Sequence, residues 1–535
     1  MRRPGRFQGV ALLFLPLLAA MAAGGAQSDA QPASIAPVEG AVAMKSSPLL
    51  FGYFIEHFDT VVYGGIYDPS SPLSDGDGFR KDVIDALRAA KCSIVRWPGG
   101  CFSQAYHWKN GVGPKREPSW DMAWRCEDPN TFGTDEYVKW CRKVGCEPYI
   151  CTNAGTGSGE EMGEWVQYCN LPDAGWGRRR VANGHPESYA VRYWNIGNEN
   201  GGGHEIARRS AEEWGPLVRE SAKMMRAADP SIFIVGAGSP KTEAWNRSLL
   251  AGAGHLIDMI SVHSYPDKLL QVDNPSPYLK CMMFTDRAEK LIANVSRMID
   301  EAGCGGKVGI AIDEWNLRSW HHPGFGMFGR GQSMDVAARR RNDRAATYTM
   351  ADAIYAASFL NACLRHCDVV KMANFAPVVN SRGAIFVHPK GIVKRTTYHV
   401  FWMYANLLQP NVVPVTLKCG EISDGKKSVP SVDAVLTRSD DGSRMTLMVV
   451  NKSPDKSETL DISALLGLAD GTKPVPPDAD GISANLSATI LSGDSPDAYN
   501  DIGNENRVVP RKVRLPVAKG KISLPCHAVA AIELK

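Results

Sequence analysis

Val191-Arg-Tyr-Trp-Asn-Ile-Gly-Asn-Glu-Asn200 begins as a buried strand and ends as a site. β-Branched and aromatic residues carry it to Ile196, and it then breaks on Gly197 with Asn198 and Glu199 at its tip. A parallel barrel presents its chemistry in this way, on polar groups at the C-terminal ends of apolar strands. Lys307-Val-Gly-Ile-Ala-Ile-Asp-Glu-Trp-Asn316 has the same form and ends on Asp313, Glu314 and Asn316. Two glutamates on two strand ends, far apart in sequence, are the minimum apparatus for cutting a glycosidic bond.

Working outward, further apolar runs of strand length fall at 49–55, 93–96, 148–153, 232–237, 259–263 and 369–374. With 193–196 and 308–312 they make eight, the number that closes a barrel. Segments with helical periodicity lie between them. Phe79 to Ala90 places Val83, Leu87 and Ala90 on one face, and the run from Thr285 to Asp300 keeps its apolar residues three and four apart behind an N-cap threonine. Strand and helix in alternation imply parallel strands joined by crossovers. A doubly wound open sheet would concentrate polar residues at one switch point. Here they follow nearly every strand, so the expected fold is α/β, a (β/α)8 TIM barrel over residues 49–400.

Beyond about Thr397 helical periodicity gives way to short alternating segments. Arg444 to Asn451 follows the turn Asp440-Asp441-Gly442, a hairpin signal. Residues 401–535 therefore read as a C-terminal β-sandwich (jelly-roll-like), with Gly471 to Gly481 as a surface loop. Residues 27–48, rich in Ala, Pro and Ser, read as a linker or a strand joining that sandwich. Residues 1–26 read as a signal peptide: Arg2, Arg3 and Arg6, a short apolar core from Val10 to Ala20, then small residues. Export to a secreted or periplasmic location follows, with no membrane span left after cleavage. Losing those three arginines brings the 60 basic residues level with the 57 acidic ones. Such a chain has no electrostatic footprint for nucleic acid. Thirteen cysteines suit an oxidising compartment, but the count is odd and no C-x-x-C pair occurs, so at least one thiol is free.

In chain order the strand ends read Glu56-His57, Arg96-Trp-Pro-Gly-Gly-Cys101, Asn153, Asn198-Glu199, His263-Ser-Tyr265, Asp313-Glu314 and Asn374. Retaining cleavage needs one carboxyl that donates a proton to the leaving oxygen and a second, ionised, that attacks the anomeric carbon, the two carboxyl groups standing about 5–5.5 Å apart. Arg96 is a suitable guanidinium for the second. Asn198 is placed to bond a sugar hydroxyl.

These motifs carry a resemblance. Leu50-Phe-Gly-Tyr-Phe-Ile-Glu-His-Phe58, Tyr63-Gly-Gly-Ile-Tyr-Asp68, Arg96 to Cys101 and Tyr106-His-Trp-Lys-Asn-Gly-Val-Gly-Pro114 resemble glycoside hydrolase family 51, whose principal members are α-L-arabinofuranosidases. The similarity runs in order from about Leu49 to about His399. It implies a retaining exo-enzyme that removes terminal α-L-arabinofuranosyl groups from plant-type polysaccharides or oligosaccharides, without metal or cofactor, and an oligomer by analogy. It makes Glu199 the acid/base and Glu314 the nucleophile. Glu56 and Asn198 would bind sugar hydroxyls, Arg96 would support the nucleophile, and His263 and Tyr265 would line the sugar subsite. Two departures bear on the exact sugar. Cys101 stands where many relatives have Asn, and Pro377 where others have a sugar-contacting Gln.

Other readings stay open beside this one. A β-glucanase or xylanase-like activity keeps the machinery and changes the sugar. A non-catalytic carbohydrate-binding protein would keep only the pocket. Cys101 reads equally as an inert or disulfide-bonded thiol. His321-His322 lack partners at metal-ligand spacing and suggest a loop over the cleft. Trp97, Trp108, Trp194, Trp315 and Trp320 divide between core and sugar stacking. Asn246 and Asn451 head glycosylation sequons. Asp501 to Asn506 repeats Gly-Asn-Glu-Asn with no strand leading in, so Glu505 reads as a loop residue.

Overall fold

The computed structural model describes residues 33–267, 275–319, 343–466 and 485–534. The expected leader, His321-His322, Trp320 and the 471–481 loop lie outside them.

Eight parallel strands close into a barrel in sequence order: Gly52–Phe54, Ile94–Trp97, Glu147–Thr152, Tyr193–Ile196, Phe233–Ala237, Met259–Ser264, Gly309–Trp315 and Val370–Phe375. The eighth pairs back to the first through Asn374 with Gly52 and Phe375 with Tyr53. The first strand is shorter than its apolar run, because Pro48–Phe51 coils into a 3-10 turn. Asp286, not Thr285, occupies the N-cap position of helix Arg287–Glu301, without a side-chain capping hydrogen bond.

Inside the barrel the two-residue period of a strand sorts side chains into layers. Ile94, Tyr149, Tyr193, Val235, Met259, Ala311 and Met372 form an apolar floor. Two residues further along the same strands stand Arg96, Cys151, Asn195, Ala237, Ser261, Asp313 and Asn374, so the floor gives way to a mostly polar storey. Strict alternation that turns Asp313 inward would turn Glu314 outward. The strand pairing shifts between Ser261 and His263 and between Ile312 and Trp315. Irregularities of this kind re-aim side chains, and here consecutive carboxyl groups both face the cavity.

The C-terminal part contains a seven-stranded sheet and a four-stranded sheet around their own core, which includes Ile35, Leu436, Leu447, Leu460, Ile522 and Ile532. Val432–Arg438 and Met445–Asn451 form the hairpin about Gly442. Ala33–Pro37 pairs with Val415–Lys418, and Met44–Lys45 with Asn411–Val413, so the segment before the barrel belongs to both sheets. Thr396–Leu407 is a helix, contrary to the loss of helical periodicity read after Thr397. Its residues from Thr396 to Phe401 are all buried, so no polar stripe marks the period.

None of the thirteen cysteines is disulfide-bonded. Trp97, Trp108, Trp194 and Trp315 are core residues with at most 1% exposure, not sugar platforms. No helix among the described residues is long and apolar enough to cross a membrane.

Candidate active site

Glu199 follows the fourth strand and Glu314 lies in the seventh. Gly197 has φ +75°, and a Cβ there would meet Asn200 Oδ1 at 2.1 Å. The chain thus turns sharply, and Glu199 itself takes φ +42°, a conformation uncommon outside glycine and a mark of functional sites.

His263 ties the two acids together. It stands opposite Glu314 in the strand register. Its Nδ1 lies 2.8 Å from Glu199 Oε1 and 3.6 Å from Glu314 Oε2. Laid end to end those contacts span about 6.4 Å, so the two carboxylate oxygens are no further apart. Across the ring, Nε2 lies 3.3 Å from Asp313 Oδ1. Burial pulls the imidazole pKa down, but Glu314, Asp313 and Glu199 outweigh it and push it well above the ordinary histidine value.

Arg96, fully buried on the second strand, donates from Nη1 to Glu314 Oε1 at 2.6 Å and from Nη2 to Asn198 Oδ1 at 2.8 Å. Tyr265 donates its hydroxyl to Glu314 Oε2 at 2.8 Å. Both oxygens of Glu314 are therefore held, which fixes the carboxylate's orientation. Burial raises the Asp313 carboxyl, yet Arg96, His263 and Ser261 bring it down to about 2. It stays charged, and it accepts from Tyr149 at 2.8 Å.

Glu56 Oε1 accepts from the backbone N–H groups of Gly100 and Phe102 and from Trp124 Nε1, at 3.0–3.1 Å. Burial, then the charge of Glu314, raises its pKa to about 8. Gly99 and Gly100 make this approach possible. A Cβ on Gly99 would lie 2.5 Å from Glu56 Cγ, and one on Gly100 3.0 Å from Glu314 Oε1.

The residues named from sequence as site residues, Glu56, Arg96, Cys101, Asn198, Glu199, His263, Tyr265 and Glu314, form one connected cluster. Three strand-end residues serve the scaffold instead. His57 accepts from Trp97 Nε1 and faces Asp128, Asn153 closes its own turn, and Asn374 bonds Tyr53 O. Glu505 lies in a surface turn, accepting from Gly503 N. At Pro377, the wall is held by Asn316, which donates to Ala376 O and Arg382 O. The Arg382 guanidinium lies 5.0 Å over the Tyr265 ring.

Sequence reasoning missed His204 and Glu205. His204 Nε2 lies 3.0 Å from Glu199 Oε2 and 3.3 Å from Glu205 Oε1. Glu205 Oε1 also accepts from Asn198 Nδ2 at 3.1 Å and Cys101 Sγ at 3.2 Å. Burial alone would raise the Glu199 pKa. Hydrogen bonds from His204 and His263 reverse that and hold it well below the usual carboxylate range, while Glu199 and Glu205 together raise His204 to about 10. The available signal was Gly201-Gly202-Gly203-His204-Glu205, one residue beyond Glu199, a loop free enough to fold back.

Residues 86–281 match the alpha-L-arabinofuranosidase 1 domain, and residues 313–528 match the alpha-L-arabinofuranosidase C-terminal domain. Alpha-L-arabinofuranosidase C of Emericella nidulans is 32% identical over 522 residues, covering 92% of this chain and 95% of its own. An α-L-arabinofuranosidase from Thermotoga maritima, solved as an arabinose complex, superposes with TM-score 0.79 at 29% identity over 94% of this chain and 99% of its own. A family 51 α-L-arabinofuranosidase from Bifidobacterium longum gives TM-score 0.82 at 28% identity over 94% and 100%.

Proposed function

The chain belongs to the α-L-arabinofuranosidases of glycoside hydrolase family 51, and from that premise we propose how its own residues carry the reaction. It hydrolyses terminal α-L-arabinofuranosyl groups by double displacement. Glu314 attacks the anomeric carbon, the leaving oxygen takes a proton from Glu199, and an arabinosyl ester forms on Glu314. Glu199 then takes a proton from water, which attacks the same carbon and frees Glu314.

The observation that carries this reading is the position of His263 Nδ1 between the two acids, which caps their oxygen separation at about 6.4 Å. That suits direct attack. An inverting enzyme needs roughly 6.5–9.5 Å to seat a water. Arg96 and Tyr265 hold Glu314 for attack, and Glu56 and Asn198 offer polar atoms to sugar hydroxyls. Between two imidazoles Glu199 rests as a carboxylate, the form the second step needs. For the first step His204 or His263, each pushed toward the imidazolium form, passes its ring proton to the Glu199 oxygen it faces, and Glu199 delivers that proton to the leaving oxygen.

Replacing Glu314 with Ala abolishes turnover. Replacing Glu199 with Ala lowers kcat/KM about 10²–10⁴-fold on arabino-oligosaccharides, spares activated aryl arabinofuranosides, and is relieved by azide. Equal loss on both substrate types, or a Glu314→Ala variant near native rate, contradicts the assignment. Arabinose-containing polymers or oligomers as natural substrates, export, and self-association belong to the same proposal. They are read by a glycoside panel, cell fractionation and sedimentation.

A further inference from the structure

We propose that Cys101, His204 and Glu205 form a binding site for a zinc-class divalent cation at the edge of the sugar pocket. Three donors of three kinds, Sγ, an imidazole nitrogen and a carboxylate oxygen, all lie within 4.8 Å of one another. Sγ is 3.2 Å and Nε2 is 3.3 Å from Glu205 Oε1. Tetrahedral zinc, with ligands at about 2.0–2.3 Å, sets its donors roughly 3.3–3.8 Å apart. Two of the three donor separations therefore lie within tenths of an ångström of that spacing, and the third is within 4.8 Å. A thiolate with an imidazole selects zinc or its soft relatives, whereas magnesium and calcium require oxygen throughout.

A second observation points the same way. The Glu205 side chain has no exposed surface, and its Oε2 has no hydrogen-bond partner among the described residues. A carboxylate oxygen buried without a partner is costly, and a cation held by both Glu205 oxygens would satisfy it. Asn198 Nδ2, 3.1 Å from Glu205 Oε1, orients the carboxylate as outer-shell partners of metal sites do. Cys101 opens the turn after the second barrel strand and His204-Glu205 follow the fourth, so the barrel frame holds the two halves together. Burial and the neighbouring carboxylates keep the Cys101 thiol protonated in the free chain. Binding would release that proton and any on Nε2 to solvent.

The same geometry ties occupancy to catalysis, a link that rests on the role proposed for Glu199. His204 Nε2 is 3.0 Å from Glu199 Oε2, so an ion on that nitrogen removes a hydrogen-bond partner from Glu199 and offers its carboxylate the fourth position. A carboxylate bound to a cation cannot deliver a proton. Zinc is thus a reversible inhibitor.

Cobalt(II) titration of the chelator-treated full chain tests the site. The expected result is a near-ultraviolet thiolate-to-cobalt charge-transfer band that saturates at one ion per chain. Cys101→Ser removes the band, and Glu205→Gln weakens binding by roughly tenfold or more. Zinc inhibition of the native chain is reversed by a chelator. Should either variant misfold, the native chain still decides: zinc slows alkylation of Cys101, read by peptide mass spectrometry. A missing band, a band that survives in Cys101→Ser, or unchanged alkylation of Cys101 overturns the proposal. The cobalt band is read without substrate, so a failure of the glycosidase assignment and a failure of the metal site remain distinct.

Discussion

Glu199 is the residue on which the pH behaviour turns. Two imidazoles hold its carboxyl below the usual range against the effect of burial. Removing His204 takes away the larger of the two hydrogen bonds that lower it, so the Glu199 pKa rises and its proton persists to higher pH. The kcat/KM profile of His204→Ala on oligosaccharides is therefore expected to move toward alkaline pH. An unmoved profile would show that His204 does not face Glu199 in solution. The two glutamates could be read from sequence because each ends an apolar strand, and strand period plus a polar tip is a local signal. His204 and Glu205 could not. Their role depends on a loop that folds back against Cys101, about a hundred positions earlier, and no spacing records that.

At the scale of elements, the turn Pro98-Gly99-Gly100 is a close constraint on Glu56. Gly99 sits at φ +156° and a Cβ on it would run into Glu56. Gly99→Ala is expected to cost about 1–3 kcal/mol of stability, read by urea denaturation, and to raise KM as Glu56 is displaced. Native stability with native KM would mean that Glu56 is not held against this turn. All eight barrel strands were legible, because each is a short apolar run followed by polar residues. The helix Thr396–Leu407 was not, since burial on nearly every side erases the amphipathic stripe. The displacement of Glu314 toward the cavity was equally hidden: it arises from shifted strand pairing, which belongs to neighbours and not to the strand's own residues.

For the molecule as a whole, Arg365 joins the barrel side to the C-terminal sheet. It reaches Asp433 Oδ1 at 2.6 Å and Ala434 O at 3.0 Å, with Glu289 at 2.7 Å on its other side. Arg365→Ala leaves the mostly buried Asp433 without its guanidinium. Discounted for the partial exposure of Arg365, the expected loss is about 1–3 kcal/mol, measured by urea denaturation. No change would mean that the two parts do not depend on this contact. The frame matters because the reaction needs two acids from opposite halves of the barrel at a fixed separation. The direct measurement is transfer of arabinose from an aryl α-L-arabinofuranoside to methanol, with the anomer of the methyl glycoside read by proton NMR before equilibration. Methyl α-L-arabinofuranoside is the expected product, the configuration kept through two displacements. The β anomer as first product would contradict double displacement.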